Sequence, residues 1–317
     1  MKAILYTSYG SPSNLHLTEV EKPVPGDNQI LIKVHAASVN SYDWRHLRAD
    51  PFFIRVMVGG LFKPKHRILG ADVAGKVEAV GRNVTQFKPG NDVFGEGSYG
   101  GFAEYVCVDE NRFILKPDNL AFDEAAAVPM AALTALQGLR DKGKIQAKQK
   151  VLINGASGGV GTFAVQIARS FGAEVTGVCS TAKMDLVRSL GADNVVDYTQ
   201  EDVTRNNQKY DLILDTAAHR SISDYKRILN PDGVYVLVGG SISRIFQLMF
   251  KSKTGVKNIG TMVASINQKD LLFLAELLKS GKIKSIIDKR FPLADTAKAL
   301  QYFEEGHTRG KIVITVQ

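Results

Sequence analysis

The stretch "VLINGASGGVGTFAVQIA", residues 151–168, tells more about the architecture of this chain than any other segment. An apolar run, 151–153, leads into a glycine-rich loop, and an apolar, alanine-containing stretch follows. This order predicts a β-strand, a tight turn and an α-helix. Such a turn directs backbone N–H groups and a helix N-terminus toward an anion, most often a phosphate. The question that follows is which phosphate the loop binds.

The glycines of this loop distinguish between two kinds of phosphate-binding loop. Gly158, Gly159 and Gly161 supply the later part of a G-x-G-x-x-G motif, with Ala156 at the first glycine position. In that motif the glycines allow the tight turn, the approach of a pyrophosphate and close helix–strand packing. A P-loop would end in Gly-Lys-Ser/Thr, whereas Thr162 follows Gly161 directly. We therefore expect a dinucleotide rather than a nucleoside triphosphate.

The loop also fits the T-G-x-x-x-G-x-G pattern of short-chain dehydrogenases when it is aligned from Asn154. Those enzymes carry the loop near the N-terminus and a Tyr-x-x-x-Lys pair later in the chain. Here the loop begins only at residue 154, and no tyrosine has a lysine four residues after it. The sequence therefore excludes this class.

The strand after the loop favours NADP over NAD. An acidic residue at its end would bind the ribose 2′-OH of NAD. The predicted strand instead ends at Cys179, followed by Ser180, Thr181 and Lys183. Hydroxyl groups and a cation suit a 2′-phosphate, because charge-assisted hydrogen bonds to phosphate are strong. We predict NADPH as the cofactor, with Ser180 and Lys183 at its 2′-phosphate; the alternative for Lys183 is a solvated helix lysine.

Length and composition describe a two-domain globular protein. A chain of 317 residues exceeds one ordinary core, and 44% hydrophobic with 23% charged residues is typical of soluble proteins. No apolar run approaches the roughly 20 residues that span a bilayer, so we expect no membrane association. Only Cys107 and Cys179 are present. With no signal-peptide pattern at the N-terminus, they favour a cytoplasmic location.

The formal charge of +8 favours binding of anions. It has two interpretations: a partner such as nucleic acid, or a generally basic surface. The chain has no Lys/Arg block and no interleaved aromatic residues. We therefore do not expect a nucleic-acid partner.

The pattern along the chain predicts an α/β protein of two domains. Residues 1–121 contain short β-type runs separated by Gly and Pro, which indicates a barrel-like module. Residues 122–260 begin with a helical pattern, 122–143, that Pro129 should break, and then alternate strands and helices. This alternation predicts a doubly wound parallel sheet. Residues 261–317 change pattern again and form the third segment.

The segment "DPFFIRVMVGGLFKPKHR", residues 50–67, interrupts the β-rich part. It is apolar but is broken by Pro and a Gly pair. It is either a short helix or loop that packs on the core, or an apolar wall over a substrate pocket.

Seven motifs in a fixed order resemble those of the medium-chain dehydrogenase/reductase superfamily. Within it, the chain looks like the zinc-free quinone oxidoreductase branch, which includes zeta-crystallin-like and reticulon-interacting oxidoreductase-like enzymes. The resemblance covers essentially the whole chain. It implies a GroES-like β-barrel catalytic domain, built from residues 1–121 and 261–317, and a Rossmann NADP-binding domain, 122–260, with cofactor and substrate meeting between them. The motifs are "VHAASVNSYDW", "LGADVAGKVEAVG", "FKPGNDVFG", "GGFAEYV", "AAAVPMAALTALQGL", "INGASGGVGTFAVQIA" and "GKIVI".

Many members of this superfamily use zinc, so the ligand positions matter. The catalytic ion would need a Cys in "VNSYD", 39–43, and a His in the "GHE" motif, whose counterpart here is 70–72, "GAD". Neither ligand is present, and two distant cysteines cannot form the four-cysteine structural site. We predict no metal. Without a Lewis acid, oxidation of a simple alcohol is difficult, whereas a quinone or α,β-unsaturated carbonyl accepts hydride readily. The resemblance thus implies NADPH-dependent reduction of quinones or enones.

The resemblance assigns catalytic positions to Asn40 and Asp43. The Asn40 amide would donate to the substrate oxygen; the alternative is a turn residue after a strand. Asp43 is an orienting residue, a proton relay or a helix cap. No general acid is assigned, since solvent can supply the proton. The implied cofactor-binding positions are Ser157, Gly158, Gly159 and Val160 at the pyrophosphate, Ser180 and Lys183 at the 2′-phosphate, Tyr198 at the adenosine, Thr134, Val238, Gly239 and Gly240 at the nicotinamide, and Lys311.

Two alternatives stay open at this point. The first is a protein that binds NADPH but has little catalysis and an RNA- or protein-binding role. The second concerns assembly: a strand such as "VYVLVGG", 234–240, could pair across a homodimer.

Overall fold

The computed structural model describes residues 1–56, 60–238 and 259–316. The chain forms two compact units. Unit 1 contains residues 1–130, 266–281 and 285–317, and unit 2 contains residues 131–265 and 282–284. The two ends of the chain therefore belong to the same unit.

Unit 1 is built on a seven-stranded sheet in which most neighbours are antiparallel. With strands numbered along the whole chain, the strands of this unit are β1 (Lys2–Leu5), β2 (His16–Glu19), β3 (Gln29–Val39), β4 (Asp72–Val80), β5 (Asp92–Glu96), β6 (Tyr105–Asp109), β7 (Phe113–Leu115), β14 (Ile287–Pro292) and β15 (Lys311–Thr315). The strand order of the sheet is β14-β15-β3-β4-β5-β7, with β6 also paired to β3, and β1 and β2 form a separate antiparallel pair. The helices of this unit are α1 (Ser41–Arg48), α2 (Phe122–Ala126), α7 (Gln268–Lys279) and α8 (Thr296–Glu304).

The long strand β3 organises this sheet, since it pairs with β15, β4 and β6. Its alternating apolar residues Ile30, Ile32 and Val34 are buried with Val73 and Val77 of β4 in one apolar core. Alternation with period two places these side chains on one face of the sheet. The GroES-like β-rich unit predicted from the sequence is confirmed.

Unit 2 is a six-stranded, all-parallel sheet of order β10-β9-β8-β11-β12-β13. With the strands counted from β8, this is the 3-2-1-4-5-6 order of a dinucleotide-binding fold, so the predicted Rossmann sheet is confirmed. The strands are β8 (Lys150–Asn154), β9 (Glu174–Cys179), β10 (Asn194–Asp197), β11 (Tyr210–Asp215), β12 (Leu229–Val238) and β13 (Ile259–Met262). The helices are α3 (Pro129–Gln137), which begins in unit 1, α4 (Gly159–Ser170), α5 (Met184–Ser189) and α6 (Ile222–Arg227).

The predicted helix over 122–143 is divided at Pro129. α2 ends at Ala126, Pro129 opens α3, and a π-helical turn, Gly138–Lys142, follows. Proline has no backbone N–H and therefore suits the first position of a helix, where no intrahelical bond is lost. The first unit boundary lies after Met130 rather than after residue 121, because α2 packs on β3 and β4.

Two alternatives that the sequence left open concern the surface. In the 50–67 segment Phe52, Phe53, Val56, Leu61 and Phe62 are all exposed, so these side chains do not pack on the core; residues 57–59 lie outside the described ranges. Strand β12 has neighbours on both sides, β11 and β13. Over residues 235–237 it therefore has no free edge that could pair across a homodimer. Residues 239 and 240 lie outside the described ranges. Across the described ranges, no helix combines the length and apolarity required to span a bilayer.

Candidate functional site

The glycine-rich loop joins the end of β8 to the start of α4. Gly155 has φ +81°, which a side chain would strain. A Cβ on Gly161 would come within 2.0 Å of the Gly155 carbonyl oxygen. These two glycines are therefore required by the protein's own packing, since they let α4 approach the strand closely.

Gly158 differs from Gly155 and Gly161 because, within the part of the chain that the structure describes, no atom closely approaches the position of a Cβ on it. It is the N-cap residue of α4, with φ −82°. A Cβ on it would meet only the Gly155 oxygen, at 3.5 Å, which is an ordinary contact. The first N–H groups of a helix have no acceptor within the helix and attract an anion. The free space and these donors together fit a phosphate group, beside Ser157, Gly159 and Val160.

A buried polar network supports the loop from below. Asn154 Nδ2 donates to Asp215 Oδ1 and to the Tyr225 hydroxyl, both at 2.8 Å, and the Tyr235 hydroxyl donates to Asp215 Oδ2 at 2.7 Å. Asp215 also accepts the backbone N–H of Ala218 at 2.9 Å. The network fixes the ends of β8 and β11, which are paired at Asn154 and Asp215. Sequence reasoning missed it, although two polar residues ending apolar strands were a usable signal.

The end of β9 carries the residues predicted for a 2′-phosphate. Ser180 precedes a short 3-10 turn that ends at Lys183, and both side chains are half-buried. A carboxylate also lies at the end of the neighbouring strand. Asp197, the last residue of β10, is paired with Cys179, the last residue of β9. It accepts hydrogen bonds from the Thr181 hydroxyl and from the Thr199 N–H, and the bond from Thr181 holds the pKa of Asp197 below its usual range.

Two of the residues predicted at the nicotinamide, Thr134 and Val238, are described by the structure, and both belong to unit 2. Thr134 is buried on α3, and Val238 is the last described residue of β12. A Cβ on Gly138, one turn beyond Thr134, would lie 2.9 Å from Leu214 Cδ1 and 3.7 Å from Val238 Cγ2. This part of the helix therefore packs on β11 and β12. Gly239 and Gly240 lie outside the described residues. Tyr198, predicted at the adenosine, is 58% exposed.

In unit 1, Asn40 lies between the end of β3 and the start of α1. It is the N-cap residue of the helix, and its backbone N–H donates to Asp43 Oδ2 at 2.9 Å. Asp43 Oδ1 accepts the N–H of Gly70, also at 2.9 Å. Asp43 is fully buried. Of its three proposed roles, these contacts match the helix cap, with a tie to the loop before β4.

The Asn40 side chain is held by three groups. Its Nδ2 donates to Asp72 Oδ2 at 3.0 Å and to the Ser38 carbonyl at 3.3 Å, and its Oδ1 accepts from Lys311 Nζ. The Lys311 ammonium also donates to the Val39 carbonyl at 3.1 Å and lies 3.8 Å from Asp72 Oδ2. Sequence reasoning had noted the "GAD" segment only for its missing zinc ligand, and Lys311 only as a cofactor residue.

Burial shifts the pKa values of Asp43, Asp72 and Lys311. It raises the pKa of Asp43 to about 7, although N–H bonds from Gly70 and Asn40 oppose the shift. Burial also raises the pKa of Asp72, which the nearby Lys311 lowers in turn, and it lowers the pKa of Lys311. Two carboxyl groups thus share one buried ammonium.

Four aromatic side chains lie close together, and two of them, Tyr42 and His46, belong to α1. The Tyr42 ring lies 4.0 Å from the His46 ring and 5.7 Å from the Tyr99 ring, measured between centroids. His66 stacks on Tyr99 at 4.1 Å. These planar rings provide an aromatic surface next in sequence to Asn40. Over the ranges that the structure describes, no group of three or more His, Cys, Asp or Glu side chains could hold a metal ion.

Two family models match the chain. Residues 26–118 match the alcohol dehydrogenase GroES-like domain, and residues 190–314 match the zinc-binding dehydrogenase family. The matched ranges fall on the β-rich part of unit 1 and on the later part of the chain, which includes four of the six strands of the parallel sheet.

Relatives of the whole chain agree with this assignment. A chloroplastic quinone oxidoreductase QR1 of Triphysaria versicolor is 33% identical, with 99% of this chain and 98% of that protein covered. A chloroplastic NADPH-dependent alkenal/one oxidoreductase of Arabidopsis thaliana is 32% identical, with 99% and 79% covered. A solved quinone oxidoreductase of Coxiella burnetii superposes with a TM-score of 0.89 at 29% identity, covering 100% and 99% of the two chains. The chain therefore belongs to the medium-chain dehydrogenase/reductase superfamily, among its quinone oxidoreductases, and is an oxidoreductase that uses a nicotinamide cofactor.

Proposed function

We propose that this protein reduces quinones or α,β-unsaturated carbonyl compounds with NADPH and without zinc. The observation that carries the proposal is the loop at the N-terminus of α4. Gly155 and Gly161 are required by packing, whereas the space beside Gly158 is open and lies at the N–H end of the helix. This arrangement suits the pyrophosphate of a dinucleotide.

Unit 2 holds the cofactor in this proposal. Ser157, Gly158, Gly159 and Val160 bind the pyrophosphate, and the half-buried Ser180 and Lys183 bind the 2′-phosphate. Tyr198 lies by the adenosine, and Thr134 and Val238 contact the nicotinamide. When bound, NADPH supplies the hydride.

Unit 1 provides the group that binds the substrate oxygen. The Asn40 amide donates to this oxygen as negative charge develops on it. One of the two Nδ2 hydrogens has only the 3.3 Å bond to the Ser38 carbonyl, and this long bond is the one that a substrate oxygen replaces. The bond to Asp72, at 3.0 Å, stays in place. Solvent supplies the proton that completes the reduction.

The side chains at the positions of the catalytic zinc ligands support a reaction without zinc. The two segments that would carry the catalytic ligands converge at Asn40 and Asp72, and neither supplies a Cys or His. The buried ammonium of Lys311 also lies among them, and its positive charge opposes a divalent cation at this place. Carbonyl activation in this proposal therefore relies on hydrogen bonding.

The preference for NADPH depends on a local balance of charge. Lys183 favours the 2′-phosphate, while the ionised Asp197 carboxylate at the same edge opposes it. Asp197 is already occupied by the Thr181 hydroxyl and the Thr199 N–H, so less of its negative charge acts on the ligand.

The proposal is tested by following the loss of NADPH or NADH absorbance with a panel of quinones and enones, before and after treatment with a zinc chelator. We expect turnover of at least one class with NADPH, unchanged by the chelator, and kcat/KM for NADH lower by about tenfold or more. Lys183→Ala should remove this preference, whereas Lys269→Ala, an exposed lysine on α7, should keep it. Binding of NADPH without turnover of either class would contradict the proposal.

A further inference from the structure

Lys311 occupies a different environment from the one expected of a residue that reaches the cofactor. It is the first residue of β15, beside the end of β3, and only 3% of it is exposed. Its ammonium donates to the Val39 carbonyl and to Asn40 Oδ1, and it also lies 3.8 Å from Asp72 Oδ2. All of these partners belong to unit 1.

We propose that Lys311 is a positioning residue that, together with Asp72, holds the Asn40 amide in one orientation. The ammonium accepts no hydrogen bond and the carboxylate donates none when ionised. Oδ1 must therefore face Lys311 and Nδ2 must face Asp72. A rotation of the amide by half a turn would place the NH₂ group against the ammonium and the oxygen against the carboxylate. This pair thus keeps an N–H of Asn40 available as a donor.

The same contacts strengthen that donor. A hydrogen bond from a cation to Oδ1 polarises the amide, and hydrogen bonds in series reinforce one another in a medium of low dielectric constant. Lys311 also compensates the charge of Asp72, whose carboxylate would otherwise be buried without a cation. The lysine acts through Asn40 and has no direct contact with the reacting atoms.

The inference rests on the proposed function, because it gives the Asn40 donor a substrate oxygen to bind. The test compares Lys311→Met with Lys269→Met, which makes the same chemical change at an exposed position of unit 1. NADPH affinity is measured by fluorescence titration, and kcat and KM by cofactor oxidation. For Lys311→Met we expect kcat to fall by about tenfold to a hundredfold, while the NADPH Kd and the quinone or enone KM change by less than about twofold. Lys269→Met should leave all three unchanged.

Lys311→Gln separates hydrogen bonding from charge. Glutamine can still donate to Asn40 Oδ1, so we expect this variant to recover part of the lost kcat. If Lys311→Met does not fold, the double variant Asp72→Asn/Lys311→Met replaces it in every measurement, because it removes the ammonium together with the carboxylate that lies 3.8 Å from it. An NADPH Kd raised about tenfold with kcat unchanged at saturating cofactor would overturn the inference and make Lys311 a cofactor residue.

A crystal structure of Lys311→Met, or of the double variant, decides the inference without any activity. We expect the Asn40 amide to rotate or to occupy two orientations. An Asn40 side chain unchanged in the variant would overturn the positioning role. If the wild-type protein turns over no quinone and no enone, the proposed function fails while the crystal structure still decides this point.

Discussion

Asn40 connects four parts of unit 1 through one small side chain and its backbone. It contacts Asp43 on α1, Asp72 on β4, Ser38 on β3 and Lys311 on β15. Each polar atom of the amide has a charged partner or a carbonyl, so the group is buried without an unsatisfied donor. In the proposed function Asn40 is the substrate donor, and it is also a structural junction, so its replacement would affect both the structure and the proposed role.

Glu96 lies on the strand next to β4, where it is paired with Asp72. It can be used to test what a buried carboxylate costs in stability. It ends β5, and the guanidinium of Arg112 donates to its Oε1 at 3.2 Å. Burial raises the pKa of Glu96 to about 7, the nearby Asp72 adds to the shift, and Arg112 opposes it. The ionised form is therefore disfavoured by folding.

We predict that Glu96→Gln stabilises the protein at neutral pH and has little effect in mild acid. Because its pKa is raised on folding, Glu96 binds more protons in the native state than in the unfolded state between about pH 4.5 and 7. The free energy of unfolding of the wild type falls across that window, and Glu96→Gln should recover up to about 3 kcal/mol above it. Denaturant unfolding at several pH values measures this difference.

The matched control is Glu276→Gln on α7, where the side chain is exposed. We expect Glu276→Gln to change the free energy of unfolding at neutral pH by much less than Glu96→Gln does, because the exposed side chain stays in water in both states. A Glu96→Gln effect that is equally large in mild acid and at neutral pH would show that packing, rather than ionisation, is responsible.

At the scale of elements, the turn between β8 and α4 separates two kinds of glycine. Gly161 is close-packed against the Gly155 carbonyl, whereas Gly158 has free space. Alanine in place of Gly161 should therefore mainly impair folding, whereas alanine in place of Gly158 should mainly impair cofactor binding.

We predict that Gly158→Ala folds but binds NADPH at least about tenfold more weakly, because its methyl group fills the space for the pyrophosphate. Alanine at an N-cap position should cost about 1 kcal/mol of stability. Gly161→Ala should instead be destabilised by several kcal/mol, since its Cβ lies 2.0 Å from a carbonyl oxygen. Thermal unfolding and fluorescence titration measure the two effects. Unchanged NADPH affinity in Gly158→Ala would refute the assignment of this loop.

The elements themselves could be predicted well because their signals are local. The glycine loop, the break at Pro129 and the alternation of strands and helices each depend on a few neighbouring residues. The supports of the site could not be predicted this way. Lys311 meets Asn40 across 271 residues, and Asn154 meets Asp215 across 61. Only the pairing of distant strands brings these side chains together.

The order of strands in a sheet is also difficult to predict, because it depends on contacts between residues that are distant in the sequence. The stretch 234–238 shows the apolar run of a buried strand, but the sequence does not say which strands cover its two edges. Asp197 presents the same difficulty: it ends β10, so its position beside Cys179 follows from sheet order alone. The sequence showed no acid at the end of β9, and the neighbouring strand supplies one.

At the scale of the whole molecule, charge is distributed unevenly between the two units. Unit 2 contains 19 of the 40 Lys and Arg residues and 11 of the 32 Asp and Glu residues, whereas unit 1 contains 21 of each. The whole formal charge of +8 thus belongs to the unit with the glycine loop. A generally basic surface is too simple a description, because the positive field originates in unit 2.

We predict that this field accelerates the association of NADPH. Salt screens such attraction, since the Debye length falls from about 20–30 Å near 0.01–0.02 M to about 8 Å at 0.15 M ionic strength. The association rate constant from stopped-flow fluorescence should therefore fall by about threefold to tenfold over this range. NADH is the matched control: it lacks the 2′-phosphate, with its charge of about −1.5 to −2, so its rate constant should fall less steeply. Equal salt dependence for the two cofactors, or none for NADPH, would show that the charge of unit 2 does not steer cofactor binding.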